Sequence, residues 1–128
     1  MNIVNLINTK KNLTIGKAAT LEQIKDTEKK LNVQFSKEYV EYTCNLGFAV
    51  FEGHELTGVC TGNRLDVMLV TMEERKYNAF VPNGWYVIEC LDIDGVVIWQ
   101  DKNGNIHQTL PNGTKIKLCD SLREYIVI

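Results

Sequence analysis

Apolar residues in the first half of the chain follow helical spacing from Thr20 onward, and Thr20 forms a capping-box pattern with Gln23. Four positions at intervals of three and four residues predict one face of this helix: Leu21, Ile24, Glu28 and Leu31. Residues 32–35 break the spacing, so the helix should end there. A second helix is predicted from its N-cap Ser36 to Gly47, because glycine takes the left-handed C′ conformation without steric cost.

The middle of the chain changes to strand-like spacing and then back to helical spacing. Residues 48–51 and 55–60 are short apolar stretches around a polar turn, which we interpret as two strands or as strand-like loop. Asp66 can cap a third, modestly amphipathic helix that runs to about Tyr77. Near the end of the chain, Ser121 begins a second capping-box pattern and a short helix.

Four pairs of Asn or Asp followed by Gly punctuate the last third of the chain. Such pairs favour type I′ turns between antiparallel strands, and they are Asn83-Gly84, Asp94-Gly95, Asn103-Gly104 and Asn112-Gly113. The stretches between and after them predict a four-strand meander over residues 86–91, 96–100, 106–110 and 115–118. The predicted fold is a single α+β domain over residues 1–128, an antiparallel sheet with helices packed on one face.

The net charge is slightly acidic, with 14 Lys and Arg against 16 Asp and Glu, a total of −2 and a pI of about 5.7. This disfavours a nucleic-acid partner, since such proteins carry a basic excess or stripe. Apolar runs stay well short of the roughly 20 residues that span a bilayer. Lys10 and Lys11 follow the leading apolar residues, whereas a secretory signal has its basic residues first. We therefore expect a cytoplasmic protein without membrane contact.

Neither the cysteines nor the histidines have the spacing of a metal or catalytic site. The four cysteines contain no Cys-x-x-Cys pair, and they are Cys44, Cys60, Cys90 and Cys119. His54 and His107 lack a partner spaced for metal ligation, and phosphate-loop, zinc-protease and serine-hydrolase signatures are absent. Residues 92–95 superficially resemble a calcium loop, but a hairpin turn explains them better. We predict no enzymatic activity, no metal and no cofactor.

Charge is distributed unevenly along the chain. Residues 1–30 hold six lysines against three acidic residues, a net charge of +3, which leaves −5 for residues 31–128. An ordinary solvated surface would explain this difference; the alternative is an acidic face that recognises a basic partner. The candidate partner contacts are Glu52, Glu55, Glu73, Glu74, Asp92 and Asp94, with Trp85 as an aromatic anchor. For Trp99, which lies in an apolar stretch, burial in the core is the favoured interpretation.

A longer signature combines positions from both predicted N-terminal helices: Ala19, Leu21, Ile24, Glu28, Leu31, Val33, Phe35 and Tyr39. This signature resembles the N-terminal part of the SUKH superfamily of Smi/Knr-like domains. Residues 65–75 resemble the family's central helix, and residues 81–89 followed by the turn at 94–95 resemble its first long hairpin. Residues 121–126 resemble its closing helix. Two positions depart from the pattern: Gly47 lacks a second small residue before it, and Ser36 stands where proline is common.

This resemblance implies a binding module without a shared catalytic set. Bacterial members of the superfamily are widely regarded as immunity proteins that neutralise toxins, often nucleases, whereas fungal relatives regulate cell-wall synthesis through protein contacts. The leading hypothesis is therefore a cytosolic immunity protein that binds a toxin domain. A regulatory adaptor with an endogenous protein partner is the alternative, and a small-ligand binder or enzyme is a third.

Overall fold

The computed structural model describes residues 1–59 and 61–128, which form five helices and seven strands in an α+β fold. In chain order the elements are α1 (Ile3–Asn8), β1 (Thr14–Ile15), α2 (Leu21–Leu31), α3 (Lys37–Leu46), β2 (Ala49–Phe51), β3 (His54–Leu56), α4 (Val67–Tyr77), β4 (Tyr86–Cys90), β5 (Val97–Gln100), β6 (Ile106–Thr109), β7 (Lys115–Cys119) and α5 (Leu122–Tyr125). The first helix and first strand have no counterpart in the sequence prediction. Cys60, the last residue of the predicted segment 55–60, lies outside the described residues.

The helices begin at the N-caps that the sequence predicts. The Thr20 hydroxyl accepts from the Gln23 backbone N–H at 3.1 Å, and the Gln23 side chain accepts from the Thr20 N–H at 3.0 Å, which completes the capping box. Ser36 and Asp66 accept in the same way from the first turns of α3 and α4. Ser121 caps α5, but the return bond of a capping box to its backbone is not formed in the described residues.

The buried face of α2 differs from the predicted one. Leu21 is 61% exposed, because it is the first residue after the cap while the helix packs through its later residues, Ile24, Thr27 and Leu31. Glu28, which interrupts the predicted apolar face, accepts a hydrogen bond from the Phe35 N–H at 2.8 Å. The carboxylate thus satisfies a backbone donor in the segment that follows the helix.

Two antiparallel sheets lie side by side. The smaller sheet has the strand order β1-β2-β3, and the larger one is the predicted meander β4-β5-β6-β7. The Thr57 N–H, just after β3, donates to the Ile88 carbonyl in β4 at 2.8 Å and joins the two. This arrangement confirms the predicted α+β class and its C-terminal four-strand meander, with helices covering one face.

The turns of the meander are of two kinds, which corrects part of the prediction. Asp94 and Gly95 both have positive φ (54° and 69°), as a type I′ turn requires. At the next two turns only the glycines, Gly104 and Gly113, have positive φ. Each closes a three-residue loop in which the glycine N–H bonds to a carbonyl three residues earlier. Such loops consist of a type I turn followed by a glycine bulge. Because each loop has three residues and not two, it does not adopt the predicted type I′ geometry.

A β-bulge in β4 decides which way the end of this strand faces. The register shifts between Val87, which pairs with Trp99, and Glu89, which pairs with Ile98. Trp99 and Val87 belong to a small cluster on one face of the sheet, whereas Ile88 and Ile98 belong to the main core on the other. Ile88 and Glu89 therefore face the main core together, although they are consecutive residues. The buried position of Trp99 confirms its predicted place in the interior.

Candidate partner-binding cavity

A cavity of about 490 Å³ lies at the end of β4, where the β2–β3 turn, the first half of α4 and the β4–β5 turn converge. Its polar lining residues are His54, Glu55, Thr57, Arg64, Glu89, Cys90 and Asp92. Its apolar lining comes from Phe51, Leu65, Val70, Leu91 and Ile93. The cavity therefore combines acidic groups with walls that can contact the aliphatic part of a side chain.

Glu89 is the buried centre of the polar lining. Its Oε1 atom lies 2.7 Å from His54 Nδ1, which donates to it, and also accepts the hydroxyl of Tyr125. Its Oε2 atom accepts the Glu55 backbone N–H at 2.9 Å. Burial, followed by the nearby charge of Glu89, holds the pKa of Tyr125 well above its ordinary value, so this hydroxyl is a donor. Glu89 thus ties the β2–β3 hairpin, β4 and α5 together beneath the cavity.

Three of the predicted acidic contacts lie close together around this cavity. Glu55 and Asp92 line it directly. Glu74 lies behind them on α4, beside Cys90 at the end of β4. The pKa of the Cys90 thiol is raised to about 12. The main cause is the thiol's loss of hydration, and the second is the negative charge of Glu74, Asp92 and Glu89. The thiol is therefore protonated at neutral pH, chiefly because it is desolvated and secondarily because carboxylates surround it.

The pKa of the neighbouring Glu74 carboxyl lies above its ordinary value as well, first because the group is partly buried and second because Glu73 places a negative charge next to it. A cation that approached this surface would relieve the repulsion among the carboxylates. The electrostatics of the cavity therefore favour a positively charged ligand group.

The other predicted acidic contacts lie outside the cavity. Glu52 is exposed in the β2–β3 turn, and Asp94 is exposed at the tip of the β4–β5 turn. Both flank the opening without lining it. Glu73 is on the solvent side of α4, where its carboxylate forms an ion pair with Lys76 at 3.2 Å. These three residues remain predicted contacts at the periphery.

Trp85 is at the opposite end of β4, about 17 Å along the strand from Cys90. Its indole stacks flat on the His107 ring, with centroids 3.9 Å apart and planes 9° apart. His107 is held in turn by Asp101, whose Oδ2 atom lies 3.0 Å from its Nε2. Trp85 lines a separate groove near Lys102, so the structure does not bring this predicted anchor together with the acidic cavity.

Of the charged lining residues and the lining histidine, three were not identified from the sequence as contacts: His54, Arg64 and Glu89. A usable signal existed for Glu89, because it is the single charged residue in the apolar stretch 86–91. A charged residue inside a strand that is otherwise buried needs hydrogen-bond partners nearby. Those partners come from β3 and α5, which are distant in the sequence, so their identity could not be deduced.

No group of three or more His, Cys, Asp or Glu side chains in the described part of the chain is placed to hold a metal ion. No helix in residues 1–59 and 61–128 has the length and apolar content needed to cross a membrane.

A comparison with protein families identifies the relatives of this chain. The SUKH_5 family model, described as SMI1-KNR4 cell-wall, matches residues 1–112. The chain belongs to this family. The SUKH match extends from α1 through β6 and includes every residue that lines the cavity. A search of curated proteins found no match.

Proposed function

We propose that this SUKH-family chain is a protein-binding module without enzymatic activity, and that it acts as a cytoplasmic immunity protein that neutralises a cognate toxin domain. Family membership supports the protein-binding role. The observation that supports the rest of the proposal is the cavity at the end of β4, where the carboxylates of Glu55 and Asp92 lie beside apolar walls and above the buried Glu89.

The charge of this cavity indicates the kind of partner. A nuclease toxin must contact phosphate groups, so its active-site surface tends to be basic. An acidic cavity would steer such a surface during diffusional encounter and would favour one orientation on contact. Binding over the toxin's basic cleft would block access of its substrate, which needs no catalytic group on this chain.

The side chains around the cavity also support a role without catalysis. Cys90 is the thiol that lines it, and its raised pKa keeps it in the protonated, weakly nucleophilic form. The His54 Nδ1 atom is committed to the buried Glu89 carboxylate, which serves the packing of three elements. The negative charge that a partner can reach comes from the other lining carboxylates, Glu55 and Asp92.

Co-expression tests this proposal. The toxin domain encoded by the gene next to that of this chain is expressed in a bacterial host, with and without this chain. We expect the wild type to restore growth. The double substitution Glu55→Lys and Asp92→Lys should abolish most of the protection, because two charge reversals at the contact cost on the order of 3 kcal/mol, roughly a hundredfold in affinity. Growth and the amount of folded protein are measured together.

The matched control is Glu22→Lys with Asp26→Lys, which makes the same change of charge on the exposed side of α2. This variant should protect like the wild type. A gene neighbourhood without a toxin, or a toxin that the wild type neither binds nor neutralises, would contradict the immunity role. Full protection by the Glu55 and Asp92 variant would place the contact elsewhere on the surface.

A regulatory adaptor is the second candidate, and the description of the matching family as cell-wall favours it. In that case the cavity would receive a basic segment of an endogenous protein instead of a toxin. Deletion of the gene discriminates the two functions. An immunity protein is dispensable when the toxin gene is deleted with it, whereas loss of an adaptor should change cell-wall growth in either background.

A further inference from the structure

The cavity already has a guanidinium group at its mouth. Arg64, in the loop between β3 and α4, places its Nη2 atom against the carboxylate of Glu55. The Arg64 side chain is 71% exposed, and this contact with Glu55 is its one ion pair in the described residues. An ion pair with a partner as exposed as Arg64 is weak, because water competes for the guanidinium and the long side chain loses conformational freedom. Arg64 can therefore leave Glu55 at little cost.

The backbone of Glu55, in contrast, is held in place. Its backbone N–H donates to the buried Glu89 carboxylate at 2.9 Å, so the strand that carries it is anchored beneath the cavity. Asp92 presents a second carboxylate from the β4–β5 turn on the same cavity. Leu65 and Val70 contribute apolar lining next to these groups. The result is a fixed acidic receptor with a loosely attached internal cation.

From this arrangement we infer that the cavity is a receptor for one arginine side chain of the partner, and that Arg64 is an internal stand-in which the partner's arginine displaces from Glu55. The inference rests on the proposed binding of a basic protein. Arginine fits better than lysine, because its planar guanidinium can bond to two carboxylates at once and sheds water more readily than an ammonium group. Its aliphatic stem can lie along the apolar wall.

Displacement has a consequence that simple charge attraction to a surface does not have. Removing Arg64 should strengthen the binding of an arginine ligand, because an internal competitor is lost and the carboxylate of Glu55 becomes free. Removing a lysine elsewhere should have a much smaller effect, since long-range charge is screened by salt over ~8 Å at physiological ionic strength. Arg64→Gln and Lys30→Gln are a matched pair, because Lys30 also forms an exposed ion pair, with Asp26 at 3.0 Å.

The test uses N-acetyl-arginine methylamide as a probe, with the citrulline analogue as its uncharged isostere. Backbone amide shifts of the ¹⁵N-labelled full chain are followed by NMR as each probe is added. We expect saturable shifts at Glu55 and Asp92 with the arginine probe, at a Kd on the order of 1–10 mM, as befits a single side chain. Arg64→Gln should bind about threefold tighter, and Lys30→Gln should match the wild type.

Loss of the receptor carboxylates gives the opposite change. Glu55→Gln and Asp92→Asn should each weaken binding at least about threefold, whereas Asp26→Asn, which removes an ion-paired carboxylate on α2, should leave it unchanged. Each variant replaces a carboxylate by the amide of the same size, and the unperturbed remainder of each spectrum verifies folding.

Several outcomes would overturn the inference. Equal shifts with the citrulline probe, no saturation up to about 50 mM arginine probe, or weaker binding by Arg64→Gln would each do so. If the chain protects against the toxin but does not bind the arginine probe, the arginine receptor is refuted and the immunity role is not. Probe binding without protection would refute the immunity role instead.

Discussion

Replacing Glu89 by alanine will lower the free energy of unfolding by about 4 kcal/mol. The buried carboxylate accepts from His54 Nδ1, the Tyr125 hydroxyl and the Glu55 backbone N–H, and alanine leaves all three donors without this partner. Leaving buried donors unsatisfied costs more than the net value of the bonds themselves. Urea denaturation at neutral pH, followed by circular dichroism, measures the loss.

Two companion variants separate the hydrogen-bond network from the general effect of losing a glutamate. Tyr125→Phe removes one of the three donors and should cost about 1 kcal/mol. When combined with Glu89→Ala, it should add little, because the hydroxyl has already lost its partner. Glu22→Ala, at an exposed position on α2, should change the free energy by about 0.5 kcal/mol or less. A loss below about 1 kcal/mol for Glu89→Ala would contradict this account of the cavity floor.

Replacing Gly47 by valine will lower the free energy of unfolding by about 3 kcal/mol or more. Gly47 ends α3 with φ 75° and ψ −72°, and the Phe48 N–H bonds back to the Leu46 carbonyl across it at 2.9 Å. This is a γ-turn with positive φ, which is strained for any residue with a side chain. A Cβ atom at this position would also collide with the backbone carbonyl of Lys17.

Gly53 provides the control for Gly47, because it also has positive φ (84°) but has open space where a Cβ would lie. Gly53→Ala should therefore cost only the backbone strain, about 1 kcal/mol. Gly47→Ala should cost clearly more, since strain and collision act together. Thermal unfolding of the three variants gives the comparison, and equal losses for Gly47→Ala and Gly53→Ala would remove the steric part of the explanation.

Local signals predicted the helices well. Thr20, Ser36, Asp66 and Ser121 each cap a helix through hydrogen bonds to residues two or three positions away, so the sequence alone contains both partners. Gly47 has the positive φ that the sequence predicts, but it is the C-cap in a γ-turn, with φ 75° and ψ −72°, and not a left-handed C′ residue. The two-residue strand β1 was missed because its pairing with β2 joins residues more than thirty positions apart.

The candidate site was only partly predictable, because it depends on one local irregularity. Strict alternation along β4 would put Glu89 on the face opposite to Ile88, but the bulge turns both towards the main core. Nothing in the apolar stretch itself marks the bulge. Glu55, Glu74 and Asp92 were identified by their charge, whereas their proximity follows from the contacts between distant elements. Arg64 and His54 became relevant only when those contacts were known.

The association kinetics of the proposed toxin partner test most directly whether the acidic cavity recognises a basic protein. Stopped-flow mixing at low and at physiological ionic strength compares the wild type with the double substitution Glu55→Lys and Asp92→Lys. We predict a wild-type association rate that falls steeply with salt and a variant that associates at least about tenfold more slowly at low salt. The difference should shrink as salt rises, because screening shortens the range of the attraction. Association rates that are the same for both proteins, or insensitive to salt, would contradict recognition through the cavity.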